Sequence, residues 1–476
     1  MQPDDDAIAS RIAAALPEAR WFAGKAAAID RVSIHDRLAL PAAAGADRGG
    51  SSLVFADVEV GGARHRYCLV VDPAGHDAAA TPACARWLLD VVLSGGRLPT
   101  REGTVVGHAA PVSPSSGPQD VGAALAVEAI GGDASNSSFV VRSGGSAFVV
   151  KIFRRCRVGI QPEVEVGEFL AAHGGAFAAP RLRGWLERVA VDGSSTALAT
   201  VHELVPDCHS AWDVLVGLLE AGDADTAASA AVGDLVAALG RLTGQMHRAL
   251  SARPDVPAFA PEVPTATARA AAAERMAHHA AAVFALVESR LPRLAPAIAA
   301  RLRRLLDSRA ALLGTFESID AIAPNAPHIR VHGDYHLGQV LVGNRDGGLH
   351  VIDFEGEPGR SLDERRVKAS AAKDVAGMCR SLDYALRHAA ATTGRPYRAE
   401  DTRRLEGLFL TGYRSIAAGA AWWPADEPTA AALLAVHKLD KAVYELAYEL
   451  DNRPDWIAVP LAALEEMAAT SARSRV

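Results

Sequence analysis

The sequence predicts an α+β fold laid out in three successive parts, and three observations point to it. Strand-like runs separated by turn residues occupy the chain as far as Val205, a stretch rich in proline, serine and glycine (APVSPSSGPQDVG) divides those strands into two groups, and from Trp212 onward nearly every segment has a helical period and abundant alanine. A sheet region followed by a helical region is the α+β arrangement, and 476 residues exceed what one hydrophobic core usually organises. We therefore expect an N-terminal α+β cap at residues 1–110, a small antiparallel-sheet lobe at 111–205 and a large helical lobe at 206–476.

The elements follow in order. The cap holds one amphipathic segment, the strand runs SSLVFADVEV and RHRYCLVVDPAG, and a helix around CARWLLDVVLSGG. The sheet lobe begins with AALAVEAI, then SSFVVRS and SAFVVKIFRR joined by a Gly-Gly hairpin turn. PEVEVGEFLAAH reads as the helix that interrupts the sheet, and ALATVHELV as a returning strand. Beyond it lie helices such as DLVAALGRLTGQMHRALS and ATARAAAAERMAHHAAAVFALVESRL.

Composition excludes several roles. A net charge of -7 supplies no basic field for phosphate neutralisation, so no nucleic-acid partner is expected. The acidic start MQPDDDAIAS is unlike a secretory signal, and the alanine-rich runs are too broken to span a bilayer, so we expect no membrane association and a cytoplasmic location. The five cysteines are scattered and never in C-x-x-C spacing, which reads as reduced core thiols. Oligomeric state is not legible; a monomer is the default.

The chemistry concentrates in VHGDYHLGQVLVGNRDGGLHVIDFEGEP, residues 331–358. Asp353 follows the apolar run LHVI and so ends a buried strand, where a carboxylate is placed to hold Mg²⁺, which takes one or two protein oxygens and leaves the rest to phosphate and water. Gln339 offers an amide oxygen to the same ion, and Glu355 is a further candidate. Asp334 is then the free carboxylate that orients and deprotonates an attacking hydroxyl. As isolated residues, Asp334 and Asp353 read equally well as turn and cap residues. His332 reads as a loop-fixing residue bonded to backbone; His336 stays open between that role and substrate contact. Phosphoryl transfer also demands a lysine on a strand and a glutamate on the next helix; Lys151 and Glu165 fill these places. GGDASNSS, residues 131–138, offers backbone and hydroxyl donors to phosphates through Ser135 and Ser137. In VHELVPDCHSAWD, Glu203 and Val205 are candidates for backbone contact with a nucleobase.

These residues, Lys151, Glu165, H-G-D at 332–334 and D-F-E at 353–355, resemble the aminoglycoside phosphotransferases, whose fold is a bilobal, protein-kinase-like one. RWFAGK (20–25), HLGQVL (336–341), IDFEGEP (352–358), KDVAGMCRSLDYA (373–385) and LDKAVYELAYELDNRPDW (439–456) are similar to the bacterial maltokinases and the related actinobacterial glucosamine kinases. The resemblance implies ATP and Mg²⁺ as cofactors, Asp334 as catalytic base, Gln339 and Asp353 as metal ligands, Lys151 paired with Glu165 at the ATP phosphates, and a cap resting on the sheet lobe. Gln339 stands where most aminoglycoside-type kinases carry asparagine, though glutamine is usual in the maltokinase branch.

The acceptor is expected on the helical lobe. If LDKAVYELAYELDNR is helical, i,i+4 spacing aligns His437, Lys441, Glu445 and Glu449, with Tyr448 and Asn452 adjacent; an exposed ion-paired face would look the same. His336, Glu357, Arg380, Asp383, Trp422 and Trp423 are further candidates. The acids suit an ammonium, but maltokinases share many of them; the resemblance to the glucosamine kinases implies phosphorylation of glucosamine to glucosamine 6-phosphate as the expected reaction, with maltose to maltose 1-phosphate as the alternative. Two remoter readings are a metal-dependent hydrolase using His332, Asp334, His336 and His350, and a non-catalytic kinase-like binding protein. The second should lack the lysine, the base or the metal ligand, and none is missing.

Overall fold

The computed structural model describes residues 5–19, 21–22, 28–41, 50–111, 125–131, 136–175, 177–222, 227–344 and 347–473. The chain forms two compact units: Met1–Gly174 with Ala179–Pro206 and Glu357–Arg365, and Gly175–Ala178 with Asp207–Gly356 and Arg366–Val476. Ser135 and most of RWFAGK lie outside the described residues.

The first unit opens with helix α1 (Asp5–Ala15) and a three-stranded antiparallel sheet, β1 (Ile29–Ala39), β2 (Ser52–Val60) and β3 (Ala63–Val71). Alternation along β2 explains its two covered faces. Val54, Ala56 and Val58 join Ile8, Ile12 and Phe22 in one core, while Leu53 and Phe55 pack in another with Leu88 and Val92 of helix α2 (Pro82–Ser94). Thr81 caps α2 by accepting the Cys84 N–H at 3.3 Å, and Gly95 ends it in a left-handed conformation.

A second sheet of this unit contains β4 (Arg97–Thr100), β5 (Gly103–Ala109), β6 (Ala126–Ile130), β7 (Asn136–Ser143), β8 (Ser146–Phe153), β9 (Leu182–Ala190) and β10 (Ser195–Glu203), in the spatial order β4-β5-β9-β10-β8-β7-β6. Every neighbouring pair is antiparallel. β4 and β5 precede residue 110, so part of the stretch assigned to the cap is hydrogen-bonded into the main sheet. The β7–β8 turn has Gly144 at φ +55, which a two-residue hairpin requires. Helix α3 (Pro162–His173) interrupts the strands between β8 and β9.

The second unit is largely helical. It contains the short strand β11 (Cys208–Ser210), helices α4 (Ala211–Ala221), α5 (Ala227–Leu250), α6 (Ala266–Arg290), α7 (Pro296–Asp307) and α8 (Arg309–Glu317), and the hairpin β12 (Val340–Gly343) and β13 (Leu349–Val351), which pairs with β11. After α9 (Leu362–Arg366), on the segment linking the units, come α10 (Ala372–Thr393), α11 (Ala399–Ala417), α12 (Glu427–Asn452) and α13 (Ala458–Arg473). Helices α5 and α11 pack backbone to backbone: a Cβ at Gly240 would meet the Phe409 carbonyl at 2.0 Å, and one at Gly412 the Ala237 carbonyl at 2.1 Å. No helix among the described residues is long and apolar enough to cross a membrane. All five cysteines are free, but only Cys68, Cys84 and Cys379 are buried; Cys156 and Cys208 are half-buried, correcting the expectation that all are core thiols.

Candidate active site

The 331–358 stretch folds as a loop, a single 3₁₀ turn and the β12–β13 hairpin. A carboxylate that sequence reasoning did not single out holds the loop. Asp374, in the first turn of α10 and fully buried, accepts the backbone N–H of His332 at 2.7 Å and of Gly333 at 2.9 Å, and His247 Nε2 at 3.2 Å. Burial by itself raises the Asp374 carboxyl, but the hydrogen bond and charge of His247, helped by His332 and the Gly333 N–H, bring it below its ordinary value. One turn on, a Cβ at Gly377 would meet the Tyr335 carbonyl at 2.5 Å. The motif KDVAGM thus has a local reason: its aspartate grips the loop and its glycine lets the loop lie against the helix. The available signal was an acid near a helix N-terminus, too common to stand out.

His332 acts as expected. Its Nε2 donates to the Ile352 carbonyl at 2.9 Å, which fixes the tautomer, and its Nδ1 receives the Asp334 N–H at 3.4 Å. His336 accepts the Gly338 N–H through Nδ1 at 3.1 Å and so caps the turn Leu337–Gln339. Burial, with Lys441 adding to it and Asp334 opposing, lowers its imidazole to about 4, keeping it neutral. His336 thus caps the loop through Nδ1. His332 uses both ring nitrogens within the loop, which takes it out of the zinc or iron hydrolase arrangement. His350 faces Leu341 across the hairpin.

Asp334 is 18 % exposed, and its Oδ1 accepts Lys441 Nζ of α12 at 2.9 Å. Burial would raise this carboxyl; the Lys441 ammonium outweighs it and holds Asp334 well below the usual carboxylate range. Lys441, a candidate for the sugar, touches the candidate base. At the far end of the hairpin, Gln339 Nε2 donates to Asp353 Oδ2 at 2.9 Å, and the Ile352 N–H returns to the Gln339 carbonyl at 3.0 Å. Asp353 has φ +67, a left-handed conformation that aspartate tolerates better than most residues. Asp353 and Glu355 bring carboxylate oxygens within 4.8 Å of each other. Two carboxylates and an amide oxygen form the hard donor set that Mg²⁺ prefers.

In the first unit, Lys151 of β8 is buried and donates to Glu163 Oε2 at 3.0 Å. Glu163, which the sequence reading did not single out, thus holds the lysine from the first turn of α3, the helix that also carries Glu165. Ser137 accepts Arg154 Nε at 2.8 Å within the sheet rather than standing open to a phosphate. Glu203 accepts Arg183 Nη1 at 2.9 Å and donates its N–H to the Arg181 carbonyl at 2.9 Å; Val205 follows the strand end. Glu357 belongs to this unit and accepts Arg360 Nε at 2.7 Å.

The α10–α12 side chains are largely bonded to one another. Arg380 is 2 % exposed and donates to Asp383 at 2.7 Å and to Glu445 at 2.9 and 2.7 Å. Asp383 also receives Arg387 and Tyr397. Arg380 and Asp383 therefore brace the helices, a correction to their expected sugar contact. Glu449 is buried and accepts Tyr384 at 3.3 Å and Arg453 at 2.7 and 3.0 Å. His437 is buried, Trp423 packs edge-on to Tyr413 with centroids 4.8 Å apart, and Trp422 is half-buried beside it. Tyr448 is 41 % exposed and carries Arg453 over its ring at 5.2 Å.

The chain is similar to known proteins. The model of the phosphotransferase enzyme family matches residues 126–408. A glucosamine kinase of Streptacidiphilus jiangxiensis is 31% identical over 349 residues, covering 70% of this chain and 72% of that protein. A glucosamine kinase of Mycolicibacterium smegmatis is 30% identical over 342 residues, covering 70% and 77%. The solved structure of a glucosamine kinase in complex with glucosamine, ADP and inorganic phosphate is similar at TM-score 0.61 with 25% identity, over 98% of this chain and 100% of that one. The protein-kinase-like α+β fold expected from the sequence is thereby established.

Proposed function

The chain belongs to the phosphotransferase enzyme family, with glucosamine kinases among its relatives, and from that premise we propose that it transfers the terminal phosphoryl group of ATP to glucosamine, forming glucosamine 6-phosphate. The observation that carries the reading is Asp334: a carboxylate held ionised by Lys441, on a loop gripped by Asp374, in a chain 31% identical to a glucosamine kinase.

Phosphoryl transfer asks the protein mainly for positioning and charge stabilisation. Asp334 accepts the hydrogen bond of the sugar hydroxyl and takes its proton as the oxygen attacks phosphorus. Lys441 keeps the base anionic until the acceptor arrives. Lys151, itself held by Glu163, is assigned to the nucleotide phosphates. Gln339, Asp353 and Glu355 would hold Mg²⁺, which when bound neutralises phosphate charge. Of the acceptor candidates, Glu445 lies one helical turn beyond Lys441 on α12, and its carboxylate is the one we assign to a sugar ammonium.

The test is ADP release with glucosamine, maltose, glucose and kanamycin in parallel. Glucosamine-dependent turnover is expected. Turnover of maltose without any response to glucosamine would overturn the acceptor assignment while leaving the mechanism intact, and no turnover with any of the four would favour a binding protein.

A further inference from the structure

A half-open cavity of about 580 Å³ lies within the first unit, walled by the β1–β3 sheet on one side and by β9, β10 and the turn between them on the other. Its size is that of a small-molecule pocket. None of its lining belongs to the phosphoryl-transfer residues.

The inner wall is rich in guanidinium. Arg66 grips Asp57 with two bonds, Nε to Oδ1 at 2.7 Å and Nη2 to Oδ2 at 3.0 Å, and Arg64 also donates to Asp57. Arg188 is 6 % exposed, stacks its guanidinium on Phe55 at 5.1 Å, and donates Nη2 to the Glu102 carbonyl at 2.7 Å and to Asp36 at 3.3 Å. Asp36 is already saturated: it accepts Thr100 Oγ1 at 2.6 Å and the N–H groups of Arg37, Arg101 and Glu102. Arg188 Nε–H has no hydrogen-bond partner among the described residues. A buried, unsatisfied charged donor is costly, and structures rarely keep one without a use. Burial first, and then the Arg66 charge, lowers His35 in the same wall, so this imidazole adds no positive charge of its own.

Among the lining residues Arg64, Arg66 and Arg188 are matched by Asp57, Glu102 and Asp192, so the pull on an anion is local to the buried Arg188 and its unpartnered Nε–H. Glu102 and Asp192 stand at the rim. Val158 and Val191 add apolar surface to the mouth, 68% and 80% exposed. We propose that this cavity is a second binding site, for a small organic anion whose carboxylate or phosphate meets Arg188 and whose apolar part lies against Phe55, Val158 and Val191. Guanidinium suits both oxyanions because its fork matches their geometry. The proposal is independent of the acceptor assignment.

Isothermal titration of the full chain with orthophosphate, glucosamine 6-phosphate and 3-methylbutanoate tests it and separates the two sources of the anion. At least one probe should bind one to one, with binding unchanged in Asp334→Asn, lost in Arg188→Leu and about tenfold weaker in Val191→Asp, where a like charge stands at the mouth. Val191 is exposed, so its variant keeps the test meaningful if Arg188→Leu does not fold, and Val191→Asp should turn over sugar as the parent does. Absence of heat from all three probes, binding insensitive to Val191→Asp, or binding lost in Asp334→Asn would each overturn the proposal.

Discussion

Lys441 Nζ sits 2.9 Å from Asp334 Oδ1, joining the penultimate long helix to the loop that bears the candidate base. The pair sets the protonation state of the base before any substrate is present. Because the Asp334 carboxyl lies well below its ordinary value, it stays ionised across the usable acid range, and the acid limb of a pH–rate profile should not report it. In Lys441→Met that carboxyl rises and the limb should move to higher pH. An unmoved limb would count against the pairing. Asp334→Asn should lose about 10²-fold or more in turnover while still binding ATP, read by ADP release and nucleotide titration.

The lysine of the sheet is held by Glu163. Glu163→Gln should raise the KM for ATP and lower kcat by about tenfold or more in steady-state kinetics. Unchanged constants would count against Glu163 as the residue that holds Lys151.

Asp374 carries three hydrogen bonds in a site without solvent. Asp374→Ala strands the His332 and Gly333 N–H groups and His247, and should cost about 3–5 kcal/mol by chemical denaturation. Because the folded-state carboxyl is depressed, its stabilisation is fully present above the unfolded value near 3.9 and is lost as pH falls below that through the folded value. The parent–variant difference should therefore be flat from neutral pH to about 5 and shrink in stronger acid.

His437 has the same sign of pH dependence in a higher window. Burial, then Lys373, lowers its imidazole to about 3, so the folded chain keeps it neutral while the unfolded chain binds a proton below about 6.5. Stability should fall as pH drops from about 6.5 toward 3, by up to about 1.4 kcal/mol per unit. Denaturation of His437→Leu at pH 7 and pH 5 should show a shallower fall; an identical slope would refute the assignment.

Asp353→Asn keeps a residue suited to φ +67 but removes a charge from the proposed Mg²⁺ donors. Turnover should need more Mg²⁺ than in the parent, by about tenfold, in a titration started from chelator-treated protein. Asp353→Ala should additionally lose about 1 kcal/mol of stability from backbone strain.

The sequence by itself determined the order of sheet and helix, the Gly-Gly hairpin, the family resemblance and the concentration of chemistry in 331–358, because alternation, helical period and short motifs are local properties of a chain. Only the tertiary structure decided the partners. That Glu163 bonds Lys151 depends on how α3 packs against β8. Asp374 lies 40 residues from Asp334 and Lys441 a further 67 along, and nothing local says that all three meet. The i,i+4 stripe on α12 correctly aligned Lys441, Glu445 and Glu449, but whether such a stripe meets solvent, sugar or other charges depends on what packs over it: here Asp334, Arg380 and Tyr384. Long-range pairing is set by packing and burial across the fold, and these are properties of the assembled chain.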